Sequence, residues 1–295
     1  MLLGQQRTGV TMFKDILVQL DEAPQSGTRL KIALDLARRN GAHLTGIFVV
    51  DIPGYTMFYG AGMPYAGGGL NEIVNSLRAD AVSRADAAGQ EFREAVRREG
   101  LEGEWRMVEG EAVALLPLHA RYADLTILGQ PNEEDAYKGP SADAVLVSVM
   151  LSSGRPILAV PYVGQFEHIG DRVLIAWNGS REATRAVNDA LPLLRDAKAV
   201  TVLAVNPRHG IKGHGDVPAA DIALHLARHD VKAEAAHTIA EDISEGDALL
   251  SYAADLGADL IVCGGYGHSR AREMVFGGVT RTLIEEMTVP MFMSH

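Results

Sequence analysis

The chain has 295 residues, 47% of them hydrophobic and 22% charged, which suffices for one large globular domain or two of ordinary size. Its net charge of −11 excludes a general nucleic-acid or anionic-membrane binder, because both need a basic surface. The single cysteine, Cys263, excludes an intramolecular disulfide and a cysteine-based zinc cluster, and a reducing compartment, the cytoplasm, is the simplest placement.

No stretch reaches the roughly 18 apolar residues of a membrane span. The opening MLLGQQRTGVT holds too short an apolar run for a secretory signal and reads as a tail, with Met12 as an alternative start. A first strand, DILVQL (Asp15 to Leu20), is closed by Asp21. Leu30, Ile32, Ala33, Leu36 and Ala37 then recur at helical spacing. LTGIFVVD (Leu44 to Asp51) reads as a second strand, rich in β-branched residues. The next segment, residues 53–71, is rich in glycine and aromatic residues, has no period and reads as an inserted loop. Its Tyr55, Phe58, Tyr59 and Tyr65 either cover a pocket or partner, or pack loosely. A long helix follows, with Ile73, Val74, Leu77, Val82, Ala85, Phe92 and Val96 on one stripe. After the helical GEAVALLPLHARY come the strands ADLTILG (Ala123 to Gly129) and GRPILAVP (Gly154 to Pro161).

The same order then repeats. RVLIAW (Arg172 to Trp177) answers DILVQL and closes on Asn178. Ser180 is a candidate N-cap, ahead of a helix carrying Ala183, Ala186, Val187, Ala190, Leu191 and Leu194. VTVLAVNP (Val200 to Pro207) answers the second strand, ADLIVCG (Ala258 to Gly264) matches ADLTILG, and TVPMFMSH (Thr288 to His295) parallels GRPILAVP. Asp21 to Asn178 is 157 positions, but Gly129 to Gly264 is 135 and Pro156 to Pro290 is 134, so the first copy carries 157 − 135 = 22 extra residues. Residues 53–71 supply most of them. The copies span residues 12–161 and 171–295, with the boundary at Tyr162 to Gly170. Strands alternating with helices imply βαβ units and a parallel sheet, and nearly continuous apolar strands imply cover on both faces.

The sharpest local feature is GGYGHSRAREMVFGGVTRT, Gly264 to Thr282, directly after a buried strand. Gly264, Gly265 and Gly267 let the backbone turn tightly against a ligand. Gly277 and Gly278 open a helix through Val279, Leu283 and Ile284, and a helix N-terminus suits phosphate. Thr280 adds a hydroxyl, and Arg270 and Arg272 add charge nearby. The plain alternative is that these glycines only make turns. Their place at the carboxyl end of a parallel strand favours a ligand, since open α/β sheets bind there.

This fragment resembles the nucleotide motif of the universal stress protein family, Gly-x2-Gly-x9-Gly-(Ser/Thr), at Gly264, Gly267 and Gly277, with Gly278 in place of the hydroxyl residue. The resemblance covers residues 12 to 295 as two copies. It implies two doubly wound Rossmann-like α/β domains, each with a five-stranded parallel sheet of order 3-2-1-4-5. It also implies that the second domain binds ATP, AMP or ADP, with Mg accompanying the phosphates, in a cytoplasmic stress-response protein. By the same resemblance, Ala176, Trp177 and Asn178 meet adenine and ribose, with Asn178 where the family usually has Asp. Ala204 and Val205 line the adenine pocket, and Cys263, Gly264, Gly267, Gly277, Gly278, Val279 and Thr280 form the phosphate side. Trp177 either stacks near the base or fills the pocket. The first copy keeps Asp21 and Gly129 but sets Glu133, Glu134 and Asp135 where phosphate would lie, which is electrostatically adverse. That copy reads as structural, or as adapted to another ligand.

The family also pairs through its last strand, so PILAV (Pro156 to Val160) and PMFM (Pro290 to Met293) are expected to dock within one chain, and chains are expected to form a homodimer beyond that. No residue set commits the chain to a reaction. There is no Walker lysine and no Gly-x-Ser-x-Gly elbow, so at most slow ATP hydrolysis is expected. No metal site is expected either: His209 and His214 read as loop residues, and His225 and His229 as a helix surface without the glutamate of HExxH. His168 reads as linker, and Cys263 as an ordinary buried cysteine. The rivals are a ligand-free interaction module, or an enzyme using the same pocket for another phosphorylated small molecule.

Overall fold

The computed structural model describes residues 12–51, 68–130, 142–207, 219–266 and 278–295. The first half runs β1 (Asp15–Gln19), α1 (Ser26–Asn40), β2 (His43–Val50), α2 (Gly68–Arg98), β3 (Gly103–Glu109), α3 (Ala112–Ala120), β4 (Leu125–Gly129), α4 (Ala142–Ser152) and β5 (Ile157–Val160). The second runs β6 (Arg172–Ala176), α5 (Arg181–Asp189), α6 (Leu191–Leu194), β7 (Ala199–Val205), α7 (Ala220–Ala227), β8 (Ala233–Thr238), α8 (Glu245–Leu256), β9 (Leu260–Gly264), α9 (Gly278–Glu286) and β10 (Met291–Ser294).

Ten strands form one sheet, ordered β3-β2-β1-β4-β5-β10-β9-β6-β7-β8. Each half therefore has the order 3-2-1-4-5. Every neighbouring pair is parallel except β5 and β10, which run antiparallel with Met291 opposite Ala159, Phe292 opposite Leu158 and Met293 opposite Ile157. The final strands thus meet at a pseudo-two-fold seam. Because that seam is antiparallel, the carboxyl ends of the two sets of parallel strands point to opposite edges of the sheet.

Side chains alternate across each strand, so apolar runs feed two layers. Ile16, Val18, Ile127, Leu158, Ile175, Val262 and Phe292 lie in one; Leu17, Leu128, Ile157, Leu174, Ile261, Cys263 and Met291 lie in the other. Both layers run through the seam. Phe13 stacks on Phe292, with ring centroids 6.4 Å apart. Helix ends follow local chemistry: Ser180 and Ser244 cap α5 and α8 by accepting from Ala183 N and Asp247 N, each at 3.1 Å.

Two expectations change. The segment 53–71 is not all loop, because α2 begins at Gly68; residues 52–67 lie outside the described residues. Nor is the α2 stripe buried along its length. Ala81, Ala85, Phe92 and Val96 are buried, whereas Ile73 and Leu77 are exposed. The cause is length. A 31-residue helix extends about 46 Å, and an eight-residue strand only about 26 Å, so the first turns of α2 overhang the sheet.

The linker between the halves is pinned by charge. His168, given no role from the sequence, sets Nδ1 3.0 Å from Asp35 Oδ2 and Nε2 3.2 Å from Asp171 Oδ1. Arg38 and Arg39 pair with Asp35, Arg39 also donates to Ile169 O, and Lys198 pairs with Asp171 at 2.6 Å. These contacts tie α1 of the first half to the start of β6.

Candidate functional site

The second half's strands β6, β7 and β9 end side by side, and the sequence-chosen residues lie at their tips. Ala176 closes β6 and Trp177 follows it, donating its backbone N–H to Leu203 O at 2.9 Å. The Trp177 side chain is half-buried and packs on the apolar layer of Ile175 and Val187. Asn178 is exposed, and its Oδ1 accepts from Ser180 N at 3.0 Å. The amide acceptor therefore shapes the turn into α5, and a ligand here would meet the amide as a donor. Ala204 is fully buried within β7, and Val205 ends that strand half-buried.

Gly264 closes β9 under the first turn of α5. A Cβ there would lie 2.5 Å from Ala183 N and 2.5 Å from Glu182 C, so only glycine lets the strand tip and the helix N-terminus touch backbone to backbone. Gly265 donates to Ser294 O at 2.9 Å and its carbonyl lies 3.0 Å from His295 Nδ1. Tyr266 then takes a left-handed φ of 49°. Gly278 opens α9 with open space around its Cα; Val279 is half-buried and Thr280 buried. Gly267 and Gly277 lie outside the described residues, as do Arg270, Arg272, His209 and His214. Cys263 is fully buried, and burial pushes its thiol up to about 12, which removes it as a thiolate nucleophile.

Sequence reading missed Glu182. It is 2% exposed, stands at the tip of β9, and pairs with Arg181 at 2.6 Å. Nothing in the local pattern marks it, since a glutamate in the first turn of a helix is ordinary.

The first half differs at the matching place. Gly129 ends β4 as Gly264 ends β9, but the neighbour over it is the side chain of Arg29, whose Nη1 a Cβ at Gly129 would overlap. Arg29 donates Nε to Gln19 O at 3.0 Å and pairs with Asp21, and it is only 2% exposed. Asp21 also accepts from Ala23 N at 3.0 Å. Glu133, Glu134 and Asp135 lie outside the described residues.

One residue further on, the halves touch each other. Gln130, buried, donates Nε2 to Ile284 O and Glu285 O of α9 at 2.8 and 2.9 Å, and its Oε1 accepts from Tyr162 N at 3.0 Å. Its counterpart is Gly265 (130 + 135), where a Cβ would overlap the sulfur of Met150 from α4. Each strand tip thus rests on the last helix of the other half. Among the described residues no group of three or more His, Cys, Asp or Glu side chains could hold a metal ion, and no helix is long and apolar enough to cross a membrane.

The model of the universal stress protein family matches residues 12–149 and again 170–295. The chain belongs to the universal stress protein family. A curated relative, universal stress protein Slr1230 of Synechocystis, is 25% identical over 169 residues, 57% of this chain and 56% of its own length. The aligned stretch therefore spans little more than half of that relative. A universal stress protein from Archaeoglobus fulgidus superposes with a TM-score of 0.68 at 16% identity, covering 95% of this chain and 97% of its own. A putative universal stress protein from Pseudomonas aeruginosa gives 0.57 at 13% identity, covering 96% and 93%. At these identities the likeness is one of fold: a tandem universal stress protein.

Proposed function

We propose that the second half binds one adenine nucleotide, ATP or else AMP or ADP with Mg accompanying the phosphates, in a cytoplasmic stress-response role. The observation that carries this is Gly264. It begins the family's Gly-x2-Gly-x9-Gly spacing, and it sits where a strand tip meets a helix N-terminus in backbone contact. Open α/β sheets bind ligands outside such strand ends, and free N–H groups at helix starts favour phosphate. In this reading Ala176, Trp177, Asn178, Ala204 and Val205 form the adenine and ribose side. Cys263 and Gly264, with Gly267, Gly277, Gly278, Val279 and Thr280, form the phosphate side. Glu182 is a buried carboxylate already paired with Arg181, so it leaves little net charge against the phosphates.

In this reading the chain acts as a regulator with at most slow ATP hydrolysis, since Glu182, the carboxylate at the tip of β9, is buried and held by Arg181. Intramolecular pairing already covers the edges of β5 and β10, so a homodimer of chains uses another surface. Denaturing the purified protein and chromatographing what it releases tests the reading. Released adenine nucleotide supports it. No release, together with no affinity for added ATP, favours a ligand-free interaction module. A different phosphorylated molecule favours an enzyme of that substrate.

A further inference from the structure

The two halves share one strand order, so each has its own crevice at the point where the chain reverses direction along the sheet. In the first half that point lies between β1 and β4, and in the second between β6 and β9. Ligands of open α/β sheets bind outside the strand ends there. In the second half the tip of β9 meets the backbone of α5 directly. In the first half a side chain lies in between. The Arg29 guanidinium spans from Gln19 O at the end of β1 to Gly129 at the end of β4.

We infer that Arg29 is the built-in occupant of the first half's crevice and closes it to ligands. Three observations converge. Arginine is almost never fully buried unless paired, yet Arg29 is 2% exposed on the edge of the sheet where a ligand would dock. Its charge is met within the crevice by Asp21, and the loop from β1 to α1 folds around that pair: Ala23 N donates to Asp21 Oδ1, and Asp21 N donates to Ser26 Oγ at 3.2 Å. The residue beneath it is glycine, and any side chain there would overlap the guanidinium. Such a group does what a bound cation would do: it neutralises Asp21, takes the carbonyl at the strand end and fills the space. Whether the second half binds a nucleotide does not enter this inference, so either can fail alone.

Chemical rescue tests it. Arg29→Ala should empty the crevice, leave Asp21 without its partner and lower Tm by on the order of 5–10 °C. Low-millimolar methylguanidinium, far below denaturing levels, should then restore at least half of that loss in a saturable manner. It should do nothing for wild-type protein or for Arg29→Ala combined with Asp21→Ala. If Arg29→Ala does not fold, its refolding yield with and without methylguanidinium replaces Tm, and recovery of folded protein is expected. An absence of saturable rescue in Tm and in refolding overturns the inference. So does a small molecule found bound against Gln19, Asp21 and Gly129 in wild-type protein.

Discussion

Phe292 of β10 lies opposite Leu158 of β5 in the one antiparallel pairing of a ten-stranded sheet, and both side chains are fully buried. An apolar edge strand is an aggregation hazard, and this seam covers two of them at once. A carboxylate at Phe292 would be placed in the dry interface with no partner designed for it. Phe292→Asp should cost at least the about 3–5 kcal/mol of a Phe→Ala core truncation. Denaturant unfolding should show the loss, with limited proteolysis cutting first in the linker between Val160 and Arg172. A variant as stable as wild type would mean that the seam contributes little.

Gly264 and Gly278 should respond oppositely to a methyl group. At Gly264 the added Cβ meets backbone at 2.5 Å, so Gly264→Ala should cost about 1–3 kcal/mol and separate β9 from α5. At Gly278 nothing lies within 4 Å, so Gly278→Ala should leave stability unchanged or raise it by up to about 1 kcal/mol. Gly278→Ser, which restores the family's hydroxyl, should fold equally well and tighten nucleotide binding by about 0.5–1.5 kcal/mol. Thermal melts and calorimetry distinguish these outcomes, and equal melting points for the two alanine variants would contradict the packing described at Gly264.

Gln130 joins the halves through α9. Its amide gives two hydrogen bonds to the last carbonyls of that helix and takes one from Tyr162 N. Gln130→Ala would remove all three bonds, of which the one to Ile284 O is buried, at about 1–3 kcal/mol. Hydrogen exchange should accelerate at the end of α9 and at Tyr162 before it does elsewhere. Unchanged protection there would show that the amide is not holding the helix end.

The linker should loosen in acid. The Lys198 hydrogen bond, with His168 assisting, holds the Asp171 carboxyl below its ordinary value. A depressed carboxyl contributes stability above its unfolded pKa, about 4, and loses it as pH falls through the folded value. Opening of the linker, followed by proteolysis or by NMR of His168, should therefore set in below about pH 4. Asp171→Asn should show that loosened state at neutral pH. Because the Asp171 side chain is still 31% exposed, solvent screening should keep the effect on global stability small.

The repeat was legible because the central strands had to be apolar on both faces, and the same short runs recur in the same order from DILVQL to PMFM; the edge strands β3 and β8, polar and largely open to solvent, carry no such run. The docking of the two final strands, PILAV and PMFM, was legible from the family resemblance and from the need to cover two apolar edges; their register, Met291 opposite Ala159, was not. Other features depend on partners far off in sequence. His168 meets Asp35 across 133 positions, and Gln130 meets Ile284 across 154, so no local pattern marks either. Arg29 looks like any helical arginine until Gly129 and Gln19 are brought to it by the sheet. Ile73 and Leu77 fit the buried stripe by period alone, and only the strand length beneath α2 leaves them exposed.

The most direct test is a calorimetric titration of nucleotide-stripped protein with ATP and Mg, run on wild type and on folded Gly267→Val and Gly277→Val. One site per chain in wild type, lost in both variants with their circular dichroism unchanged, is the expected result. No binding in wild type, two equivalent sites per chain, or unchanged affinity in both variants would contradict a single nucleotide site in the second half.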